Sequence, residues 1–172
     1  IVAPNALEVV AVIGGLSSIF AAVIACTQTD IKRILAFSTM SQIGYMMLAL
    51  GVSGYGAEAG LGFMASMFHL FTHAMFKALL FLGAGAIIHA IHTNNLNEMG
   101  SLRKYMPITH ITFLIACLAI SGIPPFAGFF SKDEILVAAY NHHQIYFWVE
   151  WIVAGLTAFY MFRLYFGIFW RK

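Results

Sequence analysis

Residues 9–27, VVAVIGGLSSIFAAVIACT, carry no charged side chain, and several further runs along the chain are nearly as apolar. Each is long enough to cross a bilayer core as a helix, which takes about 20 residues. Only 9% of the 172 residues are charged and 61% are hydrophobic, whereas soluble domains carry about 25% charged residues. The chain therefore reads as an all-α polytopic membrane protein. Its net charge of +2 is too small to point to a nucleic-acid partner. Cys26 and Cys117 lie in apolar runs without CxxC spacing, so neither a disulfide framework nor a metal centre is indicated. The opening Ile1-Val2-Ala3-Pro4-Asn5 has no basic signal-peptide region, and the chain reads as part of a longer protein.

Five transmembrane segments are predicted, at about 9–27, 31–50, 58–90, 108–139 and 145–170, forming a single transmembrane domain over 1–172. Gln28-Thr29-Asp30 and the glycine-rich Gly51-Val52-Ser53-Gly54-Tyr55-Gly56 separate the first three. A polar loop from Thr93 to Glu98 precedes the fourth. Basic pairs fall at every second turn: Lys32 and Arg33, Arg103 and Lys104, Arg171 and Lys172. The positive-inside rule makes those turns cytoplasmic, with the start of this chain outside and its end inside.

The fourth segment is too long for one straight crossing. Its span would rise about 48 Å as continuous helix against a core of roughly 30 Å. Pro124 and Pro125 offer no backbone N–H, and Pro125 drives Pro124 out of the α region, so a break is predicted near 121–128. Unwound backbone at that depth must face protein or water, and transporters place ion sites at such breaks. A proline kink serving packing alone is the rival reading.

Within FHLFTHAMFKALLFL (68–82), His69, His73 and Lys77 are spaced four residues apart and share one helical face, an arc of about 80°. Lys77 lies too deep to reach either surface easily. Such a charge normally faces a bundle interior or a hydrated cavity, since exposing it to lipid costs a few kcal/mol or more, roughly. Burial and neighbouring charge act on its proton in opposite senses, as a group that loads and releases a proton requires. Two histidines one turn apart extend this into a relay. Histidines at this spacing can also bind a metal, but no carboxylate accompanies them and Lys77 would repel a cation. The plain alternative is interhelical hydrogen bonding.

A second constellation, FFSKDEIL (129–136), sets Lys132, Asp133 and Glu134 directly after the break. An acidic neighbour or a carboxylate on another helix would bias the proton affinity of Lys132; the alternative is an interfacial charge cluster. Lys32 reads equally as a topology anchor or as a proton-path residue. Glu150 and Arg163 fall within the aromatic fifth segment, where they pair across helices or reach an interface. His89, His92, His110, His142 and His143 are near helix ends and read as interfacial, and the tryptophans fit aromatic belts.

The runs TQTDIKRILAFSTMSQIGYMMLALG (27–51), FHLFTHAMFKALLFLGAG (68–85), MGSLRKYMP (99–107) and GIPPFAGFFSKDEIL (122–136) together resemble the antiporter-like membrane subunits of respiratory complex I. The likeness is greatest to the NADH-quinone oxidoreductase chain L or subunit 5 family. That resemblance implies a proton-translocating oxidoreductase subunit built on two inverted five-helix repeats, each with one discontinuous helix, of which this chain matches the second. It also implies that Lys77, His73, His69, Lys132, Asp133 and Lys32 lie on the proton path. It further implies no cofactor in this chain, with NADH, FMN, iron–sulfur clusters and quinone in partner subunits. The implied partners are the other complex I membrane subunits, the first repeat and lipid, most simply in a bacterial inner membrane. A multisubunit sodium/proton antiporter or membrane-bound hydrogenase subunit shares part of the pattern, and a structural scaffold is the third reading. As half of an inverted pair, the chain is expected to leave a polar seam needing its other repeat.

Overall fold

Asp30 interrupts the apolar sequence and starts a helix: its Oδ1 accepts from the backbone N–H of Lys32 at 2.8 Å and of Arg33 at 3.1 Å. Those amides have no partner inside the helix, which is why an aspartate is favoured there. A computed structural model describes residues 4–53 and 60–171. Its helices are α1 (Pro4–Thr27), α2 (Ile31–Gly51), α3 (Leu61–Ile91), α4 (Pro107–Ser121), α5 (Ala127–His142) and α6 (Gln144–Phe169), with a short 3-10 turn at Leu96–Glu98. Among the described residues there is no strand, only an isolated antiparallel bridge between Asp30 and Asn95.

Four of these helices, α1, α2, α3 and α6, are each long and apolar enough to cross a membrane. The fifth crossing is divided. α4 has 15 residues and α5 has 16, each about 22–24 Å of rise, short of a core of roughly 30 Å. α4 stops at Gly122, whose φ of 75° is left-handed and whose N–H turns back to Ala119 and Leu118 carbonyls. Such backbone suits glycine because it has no Cβ. Pro124 and Pro125 follow, and the helix resumes at Ala127.

Helix ends differ from hydropathy in a consistent way. α1 begins at Pro4 rather than 9, because Asn5 and Glu8 are helical without being apolar; hydropathy measures embedded length, not hydrogen-bonded length. α3 begins at Leu61 within the described residues. The predicted start at 58 lies outside them, as do Gly54, Tyr55 and Gly56 of the glycine-rich turn, Ile1 to Ala3, and Lys172.

α1 and α2 form an antiparallel pair with glycines at the crossing. A Cβ on Gly14 would lie 2.5 Å from the Leu48 nitrogen, and one on Gly44 would lie 2.6 Å from the Ser18 nitrogen. In lipid, where apolar burial gives no net advantage between helices, this close approach is what holds a pair together. α3 then packs on α2, α4 and α5, while α6 touches α1, α2, α4 and α5 and so closes the bundle. Tyr45, Ile34, Leu80, Phe113, Ile135 and Tyr160 are fully or almost fully buried at its centre. The outward faces carry Leu16, Phe20, Met64, Phe71 and Leu82.

The turns ending α1, α3 and α6 meet at one end of the bundle. Ile31 N–H donates to the Asn94 carbonyl and Leu96 N–H to that of Thr29. Ser101 Oγ donates to the Arg171 carbonyl, and Arg171 to Asn97 Oδ1 at 2.9 Å. Arg163 donates to the carbonyls of Cys26 and Gln28 at 2.6 and 3.0 Å, satisfying groups the end of α1 leaves free.

Candidate functional site: a buried polar line through the bundle

Lys77 lies 16 residues after the start of α3 and 14 before its end, so its Cα is about 21–24 Å from either terminus. Its side chain is 5% exposed and its Nζ donates to Ser38 Oγ on α2 at 2.8 Å. From Ser38 the contacts continue without a gap. Tyr160 of α6 donates to Ser38 Oγ at 3.1 Å and also reaches Thr157 Oγ1 at 3.4 Å. Gln42 Nε2 donates to Thr157 Oγ1 at 3.2 Å. His69 Nε2 meets Gln42 Oε1 at 3.0 Å, and His69 Nδ1 meets Ser131 Oγ at 2.8 Å. Because Gln42 presents its oxygen, His69 Nε2 is the donor there, and Nδ1 accepts from the Ser131 hydroxyl.

Ser131 precedes Lys132, so the line runs from the middle of α3 to the first turns of α5 just after the helix break. Lys132 is 4% exposed, and its Nζ is buried with no hydrogen-bond partner; it sits 5.9 Å from the Tyr45 ring centroid. The break makes room for it: a Cβ on Gly122 would meet Lys132 Cδ at 3.3 Å. A cavity of about 580 Å³ opens beside it, lined also by Ser121, Gly122, Asp133 and Trp151.

The stripe predicted from sequence is therefore a buried face, but its members are not linked directly. His73 is buried between Lys77 and His69, with ring centroids of the two histidines 6.2 Å apart and its Nε2 unpartnered. The hydrogen bonds bypass it through α2 and α6. Asp133 is exposed; it lines the cavity beside Lys132 and also borders Glu134, Met64 and Phe130. Lys32 is exposed at the start of α2, away from the line. Among the described residues the buried carboxylate is instead Glu150 on α6, fully enclosed on a helix that packs against α5.

Sequence reasoning missed Ser38, Gln42, Thr157, Tyr160 and Ser131, since single hydroxyls and amides are ordinary in membrane helices. A signal was present in their spacing. Ser38, Ser41, Gln42 and Tyr45 fall at i, i+3, i+4 and i+7 on α2, and Tyr146, Glu150, Thr157 and Tyr160 repeat along one face of α6. The expected polar seam is also corrected: this line is sealed inside the five-segment bundle, with the large apolar side chains outside.

An all-helical membrane bundle with one divided helix and an enclosed line of ionisable groups has the architecture of antiporter-like membrane proteins. The chain belongs to the family described as NADH:quinone oxidoreductase/Mrp antiporter, TM, which matches residues 1–157. It is 51% identical to the NAD(P)H-quinone oxidoreductase chain 5 of Picosynechococcus sp., covering 96% of this chain and 25% of that protein. It is 53% identical to subunit 5 of the organellar chromatophore of Paulinella chromatophora, with 96% and 25% covered. Among solved structures it resembles a chain of the Mrp complex from Dietzia sp., with a TM-score of 0.88 and 30% identity over 98% of this chain and 31% of that one. The chain thus spans about a quarter of the length of the curated relatives it matches.

Proposed function

We propose that this chain is a proton-translocating part of the membrane arm of an NADH-quinone oxidoreductase, acting within a longer subunit of the chain 5 type. The observation that carries this reading is the unbroken line of contacts from Lys77 through Ser38, Tyr160, Thr157, Gln42 and His69 to Ser131, ending beside Lys132. Lysines and histidine exchange protons, hydroxyls pass them, and His73 offers a second step between Lys77 and His69. Lys77 and Lys132 are the terminal stations. Asp133 and Lys32, exposed in this chain, are assigned to exchange with neighbouring groups or solvent rather than to the internal line.

Redox chemistry belongs to partner subunits holding FMN, iron–sulfur clusters and quinone, with NADH as donor. The first repeat and adjacent membrane subunits cover part of the apolar surface, and lipid the rest. The basic turns face the cytoplasm of a bacterial cell, so the α1 start lies outside the inner membrane. A sodium/proton antiporter subunit is the second reading, favoured by the likeness to the Mrp complex; the identity of about half the residues to quinone oxidoreductase subunits favours the first.

The test is acidification of sealed vesicles bearing the full complex, with NAD(P)H oxidation followed in parallel. Lys77→Ala or Lys132→Ala should cut proton transport about a hundredfold or more, the scale of losing a positioned proton-transfer group. Wild-type transport by fully assembled variants would make the line a packing feature.

A further inference from the structure

We infer that Glu150 is the proton acceptor for Lys132 and passes that proton toward the groove between α1 and α6; this rests on the proposed function. Glu150 is fully buried, six residues into α6, about 9 Å along the helix. A carboxylate so placed normally fills its lone pairs. Here Oε1 accepts one long bond from Ser18 at 3.4 Å, and Oε2 has no partner. The other buried, unpartnered charge among the described residues is Lys132 Nζ, on α5, which packs directly against α6. Among the described residues they do not close an ion pair within 4 Å. Neither is locked into an ion pair, which leaves the proton free to move.

Beyond Glu150 a polar route leads outward. Tyr146 is one turn earlier on the same face of α6, and its hydroxyl donates to Glu8 Oε1. His142 Nε2 contacts the second Glu8 oxygen at 3.2 Å. Glu8, Tyr146 and His142 line a second cavity of about 580 Å³, whose inner wall includes Gly15 and Val149. The single hydroxyl proton of Ser18 has two acceptors, Glu150 Oε1 and the Gly15 carbonyl at 2.9 Å, so Ser18 joins Glu150 to a residue of that wall. The step balances simply: an N–H bond of the Lys132 ammonium breaks, an O–H bond forms on Glu150, and two charged groups become two neutral ones. Either the flexible Lys132 side chain swings or a water bridges the gap. Asp133, exposed but lining the same cavity as Lys132, is the competing acceptor.

The experiment uses vesicles with the full complex and variants Glu150→Gln, Glu150→Asp, Asp133→Asn and Lys132→Ala at matched assembly. Glu150→Gln should lower proton transport about a hundredfold, with Asp133→Asn affected less. Glu150→Asp keeps the acceptor but withdraws it by one methylene, so transport should slow and its rate ratio between H₂O and D₂O should rise, which a structural role would not produce. If Lys132→Ala impairs transport while Glu150→Asp matches wild type in rate and isotope ratio, the inference falls and the proposed function stands. If Lys132→Ala is also without effect, both fall. Where Glu150→Gln does not assemble, the aspartate variant alone decides.

Discussion

Tyr160 has one phenolic proton and two hydroxyl neighbours, Ser38 at 3.1 Å and Thr157 at 3.4 Å. It can donate to either, so rotation of a single O–H bond reverses the local direction of the line. Tyr160→Phe preserves the ring that fills the core and removes only this switch. The expected result is normal assembly, a stability loss of about 1 kcal/mol, and markedly slower proton transport, measured as vesicle acidification per complex. Unchanged transport would place the conducting route through His73 instead. At this scale the sequence was informative about charge and silent about hydroxyls. A lysine in hydrocarbon has few physical interpretations, whereas a serine or threonine there has many, and only the partner across the helix interface distinguishes them. Asp133 follows Lys132 by about 100° around α5, so it is exposed where Lys132 is buried, although both line one cavity.

Helix association in this bundle depends on what glycine lacks. At Gly44 even an alanine methyl would lie 2.6 Å from the Ser18 nitrogen and 2.7 Å from the Gly14 carbonyl oxygen. α1 and α2 would have to part, and Ser18, which supports Glu150, would move with α1. Gly44→Ala should therefore lower the thermal midpoint of the assembled complex, by about 1–3 kcal/mol of stability. Gly155→Ala, facing open space, serves as the control and should leave it unchanged; equal midpoints for both would contradict close packing. The helix break was legible because two prolines remove two donors wherever they fall. The start of α1 and the 3-10 turn at Leu96–Glu98 were not, since the first lies ahead of the apolar run and the second depends on Asn95, whose Oδ1 accepts from Asn97 N–H at 3.1 Å.

Across the whole molecule, the three basic turns are hydrogen-bonded into one cap, while Glu8, His142 and Tyr146 mark the other end. A chain of alternating direction requires this only if the divided segment counts as one crossing, and the observed order of α4 and α5 satisfies it. The proposed orientation has a direct readout. A cysteine at Ser101 should react with a membrane-impermeant thiol reagent from the cytoplasmic side alone, and one at Gln144 from the opposite side alone; the reverse pattern would invert the assignment. The helical class and the count of crossings were readable from hydropathy and charge because lipid imposes both. The sealing of the polar line was not, because it depends on α6 closing against α1, α2, α4 and α5, a tertiary event without a local signature.

Gln42 gives the line a property that its two ends do not share. An amide donates from nitrogen and accepts at oxygen, and a proton arriving at the oxygen cannot leave from the nitrogen without converting the group to an imidic acid. The residue joins His69 to Thr157 geometrically while insulating one from the other. On the proposed proton path, the amide would hold its partners in alignment without relaying a proton itself, so transfer between Thr157 and His69 would require Gln42 to turn aside.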